Sequence, residues 1–360
     1  MKEKLKTFRK FWKKKKIFLT GHTGFMGSWL IIFLDLLGVK IFGYSNKNYP
    51  GVHLFKIAKL NRIINKSFYG DIRDYSKLKK SIIKSKPDFL IHFAAQPLVK
   101  KSYENPKNTY DVNIMGTVNI LNILNEIKTI KYALIITTDK VYKNNNLTKY
   151  FKEDQELGGN DPYSNSKACA DSITSLYNFS FLQKRNISVS IIRAGNVIGG
   201  GDIAKNRIIP DYIRCLKNNK KLFLRYPKSV RPWQHIIEPL YGYLLLLQKL
   251  FEKKRVANNN LWNFGPKKSN HKSVIEVINI LNNFFNNKVK VLIKKNKKNL
   301  YESKVLMLDS NKAKKFLSWK GVLSLEETLK LIYLWIKQVS LKNNALHVCR
   351  QQILDYLKKI

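Results

Sequence analysis

Cysteine is scarce in this chain, and the little there is does not pair. Three in 360 residues, Cys169, Cys215 and Cys349, lie far apart and make no CxxC motif. That spacing excludes a disulfide framework, argues against a structural zinc and suits a reducing compartment such as the cytoplasm. Acidic residues are few as well: 24 Asp and Glu stand against 67 Lys and Arg, for a formal charge of +43. Within that excess Arg is the rarer partner, and Arg is the residue whose planar fork suits phosphates and base edges. Lys predominates, spread over helices, loops and strand ends beside abundant Asn and Ile. No helix-turn-helix, RNP-type or zinc pattern accompanies it, so no nucleic-acid partner is expected. The excess reads as compositional drift onto solvated faces, although its field still favours an anionic substrate. Long apolar runs are also missing. Leu240–Leu250 is about half the length a bilayer span requires, which makes it a core helix and leaves no membrane partner expected. Met1–Lys16 is basic without the apolar centre of a signal peptide.

What is present is regular alternation. The hydrophobic fraction, 44%, is that of an ordinary globular protein. Apolar runs at Ile17–Thr20, Val39–Tyr44, Ser67–Tyr69, Phe89–Phe93, Ala133–Thr138 and Ser188–Ala194 predict strands. Between them, Gly27–Leu37, Tyr75–Lys84, Pro106–Ile127 and Pro162–Gln183 predict helices. Such a pattern calls for an α/β fold, a Rossmann-type doubly wound parallel sheet with right-handed crossovers. Beyond Asn196 the alternation loosens. Short strands at Lys221–Arg225 and Trp262–Phe264 mix with helices near Ile208–Lys217, Pro239–Phe251, Ser273–Asn282 and Leu325–Lys337. This predicts a dinucleotide-binding domain over 12–195 and a smaller C-terminal α/β domain, mainly substrate-binding, over 196–340. Some segments of the latter are allowed to return to the first domain, and a helical tail covers 341–360.

The first βα turn carries the clearest chemistry. Gly21-His22-Thr23-Gly24-Phe25-Met26-Gly27 follows directly on an apolar strand and opens a helix. Glycines permit a sharp turn and close approach of a phosphate, and the helix start offers unpaired N–H groups. The turn is therefore expected to hold the pyrophosphate of a nicotinamide dinucleotide. Asp71, after the third strand, is suited to an adenine edge or, equally, to capping a local turn. The acid that usually grips the ribose 2′-hydroxyl after the second strand is missing; Tyr44-Ser45-Asn46-Lys47 stands there. Lys47 and His22 would even tolerate a 2′-phosphate, so NAD and NADP are not distinguished at this site.

Tyr163 and Lys167, at i and i+4, share a helix face. A nearby cation lowers a phenol pKa from about 10, which would make Tyr163 a base for an alcohol losing hydride. The spacing alone is weak, because Tyr75/Lys79, Tyr103/Lys107 and Tyr333/Lys337 repeat it by chance. Context selects Tyr163: it opens a helix after Asp161-Pro162 and follows a central strand that ends on Thr138.

These features, with His92–Val99, Thr109–Asn113, Thr138-Asp139-Lys140, Arg193–Asp202 and Arg231-Pro232-Trp233-Gln234-His235, resemble the extended short-chain dehydrogenase/reductases. The resemblance is closest to the CDP-glucose 4,6-dehydratases and runs nearly end to end. It implies NAD as cofactor, held by the turn with Asp71, Ile72, Ala94, Ala95, Gln96, Asn113, Tyr163 and Lys167. It implies that Tyr163 removes the 4-hydroxyl proton of the glucosyl unit while Thr138 hydrogen-bonds the same oxygen. Asp139 would then protonate the departing 6-hydroxyl and Lys140 take the C5 proton. Related dTDP-sugar dehydratases carry Glu in place of Lys140. Gln96, Ser102, Asn196, Arg207, Arg231 and His235 are the implied contacts of a nucleotide-sugar substrate, CDP-glucose. The two long helices are implied to pair in a homodimer. No residue reads the base by its chemistry alone.

Overall fold

The computed structural model describes residues 2–47, 53–127, 129–145, 150–252, 260–293, 301, 303–341 and 344–360. Seven parallel strands form one sheet: β1 Lys16–Thr20, β2 Lys40–Ser45, β3 Lys66–Tyr69, β4 Phe89–His92, β5 Tyr132–Ile136, β6 Ser188–Ala194 and β7 Leu261–Phe264. Their spatial order is β7-β6-β5-β4-β1-β2-β3. The order reverses between β1 and β4, where Thr20 lies beside His92, and this is where an open α/β sheet binds its ligands.

Runs of unbroken apolar residues become strands here because both faces of the sheet are covered. Successive side chains alternate between two cores. Ile17, Leu19, Phe89, Ile91, Leu134 and Ile136 enter one, together with the helices Phe25–Leu36 and Ile237–Phe251. Phe18, Leu90, Ala133 and Ile135 enter the other, with Tyr75–Ser85 and Gly116–Glu126. The apolar stretch from Leu240 is accordingly a buried core helix. Among the described residues no helix is long and apolar enough to cross a membrane.

Both long helices contain a wider turn. The one beginning at Pro106 passes through a π turn at Asp111–Met115, and the one beginning at Pro162 through a π turn at Asn178–Leu182. Asp161 caps the second, accepting from the Ser164 N–H at 2.9 Å, and Pro162 pre-sets its first residue. These local signals seat Tyr163 one residue inside the helix start.

Beyond β6, short pairings replace the sheet: Val197–Ile198 with Gln234–His235, Val230–Pro232 with His271–Ser273, and Leu222–Leu224 with Val291–Ile293. Two segments beyond β6 pack with the main sheet. The strand around Trp262 belongs to the main sheet, paired with β6 from Leu261↔Ile191 to Phe264↔Ala194. Four residues give no clue to which sheet they join. In the segment after 341, read as a helical tail, helix Ala345–Lys359 buries Val348, Cys349, Ile353, Tyr356 and Leu357 in the same core as β1.

Candidate active site

At the switch point the chain turns at Gly21, whose φ of +70° is one that L side chains avoid. A Cβ there would stand 2.8 Å from the Ala94 backbone N, and one on Gly27 would stand 2.5 Å from the Gly21 carbonyl. Gly24 caps helix Phe25–Leu36 without a side-chain partner, so the first amides of the helix, at Phe25, Met26 and Gly27, are open to an anion. The Thr23 hydroxyl is buried beside them with no partner. An orphaned hydroxyl and a glycine cradle fit a pyrophosphate.

The adjoining residues divide. Ala94 donates its N–H to Thr20 Oγ1 at 3.2 Å and, with Ala95, lines the end of β4. Ile72 packs against the place a side chain on Gly116 would fill. Asp71 accepts from Arg73 Nε at 2.9 Å and Nη2 at 2.7 Å, and that guanidinium holds its carboxyl below the usual range. Of its two readings, a turn carboxylate is the one on view. His22 is built into the fold. Its ring is enclosed over Gly43, Nε2 pairs with Ser67 Oγ at 3.0 Å, and burial pushes its pKa down to about 4. A neutral, enclosed ring cannot meet a 2′-phosphate as a cation; Lys47, exposed after β2, is the cation left there.

Gln96 and Ser102 are both buried and tied to neighbouring segments. Gln96 Nε2 donates to Leu98 O at 3.2 Å and Thr109 Oγ1 at 3.0 Å, and its Oε1 accepts from the Leu98 N–H at 2.8 Å. It ties the loop after β4 to itself. Ser102, fully buried, accepts the Tyr163 N–H at 3.1 Å. Asn113, in the first π turn, accepts the Gln96 N–H at 2.7 Å and donates to Gln96 O and to Ser166 Oγ. These side chains position the helix of Tyr163.

Thr138, Asp139, Lys140, Tyr163 and Lys167 converge at the carboxyl end of β5. Thr138 caps the turn Asp139–Val141, receiving the Lys140 N–H at 3.4 Å and donating to Asp139 Oδ1 at 3.0 Å. Its hydroxyl lies close enough to the Tyr163 phenol to favour the phenolate. Asp139 is 2% exposed and its Oδ2 has no partner. Burial raises its pKa from 3.8 to about 6, against the pull of Lys140, Thr138 and Arg231. Lys140 sits half-buried at a crevice lined by Tyr142, Asp161, Ser164 and Tyr301. Tyr163 departs from expectation: its phenol is pushed up to about 12, because burial outweighs Thr138 and Arg207, and Asp139 and Asp161 add to the rise. Lys167 Nζ donates to Ile136 O at 2.8 Å. Burial lowers Lys167 to about 8, opposed by Asp171.

Of the residues expected at substrate, Asn196 is half-buried on the loop after β6, and its carbonyl accepts the Gln234 N–H at 3.0 Å. Arg207 pairs with Asp202 at 3.0 Å and lies close enough to Tyr163 to act on its phenol. Arg231 is 3% exposed and its charge reaches Asp139. His235 packs within the core. It is wholly enclosed, edge-on to Trp29 at 5.6 Å, and held neutral by burial with a pKa near 3. Residue-by-residue reading missed Tyr142, Asp171, Arg193 and Asn263, a polar cluster beneath the site. Its one legible signal was a charged residue, Arg193, in a buried strand that otherwise holds only serine and apolar side chains. Among the described residues no cluster of His, Cys, Asp or Glu is fit to hold a metal.

Sheet order, glycine turn and the Tyr163–Lys167 helix define a Rossmann-type enzyme of the extended short-chain dehydrogenase/reductase class. Within that class, the chain belongs to the GDP-mannose 4,6 dehydratase family, whose model matches residues 18–332. It is 39% identical over 354 residues to a CDP-glucose 4,6-dehydratase of Salmonella typhimurium, covering 97% of this chain and 98% of that one. Among solved structures it resembles dTDP-glucose 4,6-dehydratase of Bacillus anthracis in complex with NAD: TM-score 0.75 and 23% identity, covering 92% of this chain and 99% of that one. It also resembles UDP-glucose 4-epimerase of Thermotoga maritima with UDP-glucose: TM-score 0.79 and 20% identity, covering 90% and 99%.

Proposed function

We propose that this chain converts CDP-glucose to CDP-4-dehydro-6-deoxyglucose, a hydro-lyase reaction with a tightly held NAD. The observation that carries this reading is Asp139, a buried carboxyl held near pH 6 against the Thr138–Tyr163 pair. An epimerase has no proton to deliver to a departing hydroxyl; a dehydratase has one. The likeness to the Salmonella enzyme supports the choice of nucleotide.

The Gly21–Gly27 amides and Thr23 would hold the pyrophosphate, and Lys167 the nicotinamide ribose. NAD bound there supplies the acceptor for the hydride of C4 and the donor for C6. Tyr163 takes the 4-hydroxyl proton, and Thr138 steadies the oxygen as the ketone forms. That ketone acidifies the C5 hydrogen, which Lys140 removes. Asp139, in its protonated form, delivers a proton to the 6-hydroxyl as it leaves as water. A carboxyl with its ordinary pKa would be almost entirely ionised at neutral pH; burial keeps a usable protonated share. Arg207 and Arg231 would take the substrate pyrophosphate, since a guanidinium can fork onto its oxygens.

The product is a keto-deoxysugar nucleotide, a precursor for deoxysugars of surface polysaccharides such as O-antigen, made in the cytoplasm. A homodimer is supported by Leu176 and Phe179, 58% and 78% exposed on the Tyr163 helix, and Met115, 49% exposed on the other long helix. Incubating the protein separately with CDP-, dTDP-, UDP- and GDP-glucose and a trace of NAD⁺ tests the substrate. CDP-glucose alone is expected to lose one water without net NADH. An unchanged mass with an inverted C4 would overturn the reading.

A further inference from the structure

The polar side chains beneath the site that the proposed chemistry does not use form one buried chain. Arg193, at the end of β6, forks onto Asp171 through Nε and Nη2, both at 2.7 Å. Its Nη1 donates to the Tyr142 hydroxyl at 3.0 Å and to the Glu153 carbonyl at 2.8 Å. Tyr142 in turn donates to Asn263 Oδ1 on β7 at 2.7 Å. Asn263 is itself fixed, its N–H on Glu153 Oε1 and its side-chain amide on Phe151 O, each at 2.9 Å. The Tyr142 ring stacks on Phe151 at 4.9 Å and 8°, and the Arg193 guanidinium lies 4.9 Å from its centre.

The two ends of this chain reach the two halves of the site. Asp171 lies one helical turn beyond Lys167 and accepts from Thr137 Oγ1 at 3.3 Å. Tyr142 ends the turn Asp139–Val141. A buried ion pair adds little net stability over apolar packing, whereas a fully satisfied buried network specifies geometry.

We infer that Tyr142 is a positioning residue for the acid–base pair. Gripped between Arg193 and Asn263, its hydroxyl sets the Asp139–Lys140 turn at a fixed place relative to the helix of Tyr163 and Lys167. The inference rests on the dehydratase reading. Thr138 does not depend on Tyr142, because the preceding Thr137 N–H is tied to Ile192 O on β6 at 2.8 Å. Beyond Thr138 the turn is pinned from outside by backbone bonds, Lys143 N–H to Glu156 O and Gly158 N–H to Val141 O, and from beneath by the Tyr142 hydroxyl. Losing the hydroxyl therefore loosens the elimination pair and leaves the oxidation pair seated.

Single-turnover mixing of the holoenzyme with CDP-glucose, followed at 340 nm, separates the two steps. In Tyr142→Phe the rise from C4 oxidation is expected at its parental rate, with the decay slowed by roughly tenfold or more. Asn263→Ala, which removes the acceptor of the same hydroxyl from another strand, is expected to give the same split, and a melt of each variant checks folding. Rise and decay slowed by one common factor in the folded variants, or neither slowed, would overturn the inference. A parent enzyme that releases no dehydrated product would instead overturn the dehydratase reading.

Discussion

Asp139 and Tyr163 show how burial sets the roles of single residues. Asp139 was legible as an acid from its place after Thr138, but its raised pKa came only from the depth of the turn. Its sign is clear: a carboxyl whose folded pKa of about 6 lies above the usual 3.8 favours the fold when protonated. That contribution is complete below pH 3.8 and lost as pH rises through 6. Asp139→Asn is thus expected to raise stability at pH 8 by about 1–3 kcal/mol, with no gain at pH 4, measured by denaturant unfolding. The same variant should slow dehydration about 10²–10⁴-fold while sparing C4 oxidation. A loss of stability at pH 8, or equal slowing of both steps, would contradict the assignment. The Tyr163 phenol is raised where a neighbouring cation was expected to lower it, and His235 is enclosed. A Tyr-x-x-x-Lys spacing says nothing of the desolvation that lifts the phenol, and a histidine after Pro-Trp-Gln does not announce that Trp29 closes over it.

At the scale of elements, the strands and the glycine turn were readable because one backbone need wrote itself into each. Strands buried on both faces must be apolar throughout, and the turn at Gly21 and Gly27 leaves no room for a Cβ. Gly27→Val places two methyls where 2.5 Å separates a Cβ from the Gly21 carbonyl. Purified Gly27→Val is expected to carry little or no bound nicotinamide, and to lose about 1–3 kcal/mol of stability. Full cofactor occupancy would show that the turn is not the pyrophosphate cradle. The π turns and the destination of β7 were not readable. A π turn keeps the apolar period of its helix nearly intact, and the four residues of β7 acquire meaning only from their register with β6.

Among the described residues most of the positive charge lies on the surface, and Lys167, Arg193 and Arg231 are buried cations. Arg193 is neutralised by Asp171, with both side chains within 2% of full burial. Sequence periodicity separated the first six strands of the sheet from the looser segments beyond β6, among which it left β7. It did not reveal the docking of the last helix onto Phe25–Leu36, since contacts between distant segments leave no local trace. The exposed apolar residues of the long helices give the assembly its test. Sedimentation of the protein should report a dimer, and Phe179→Asp should shift it to monomer with activity per folded chain largely kept. A monomeric parent would contradict the dimer.

The path of one hydride tests the central claim most directly. CDP-glucose carrying deuterium at C4 should yield a product with that deuterium in the new C6 methyl group and a solvent proton at C5, read by NMR. Deuterium returned to C4, with the 6-hydroxyl retained, would make the enzyme an epimerase and remove Asp139 and Lys140 from their roles.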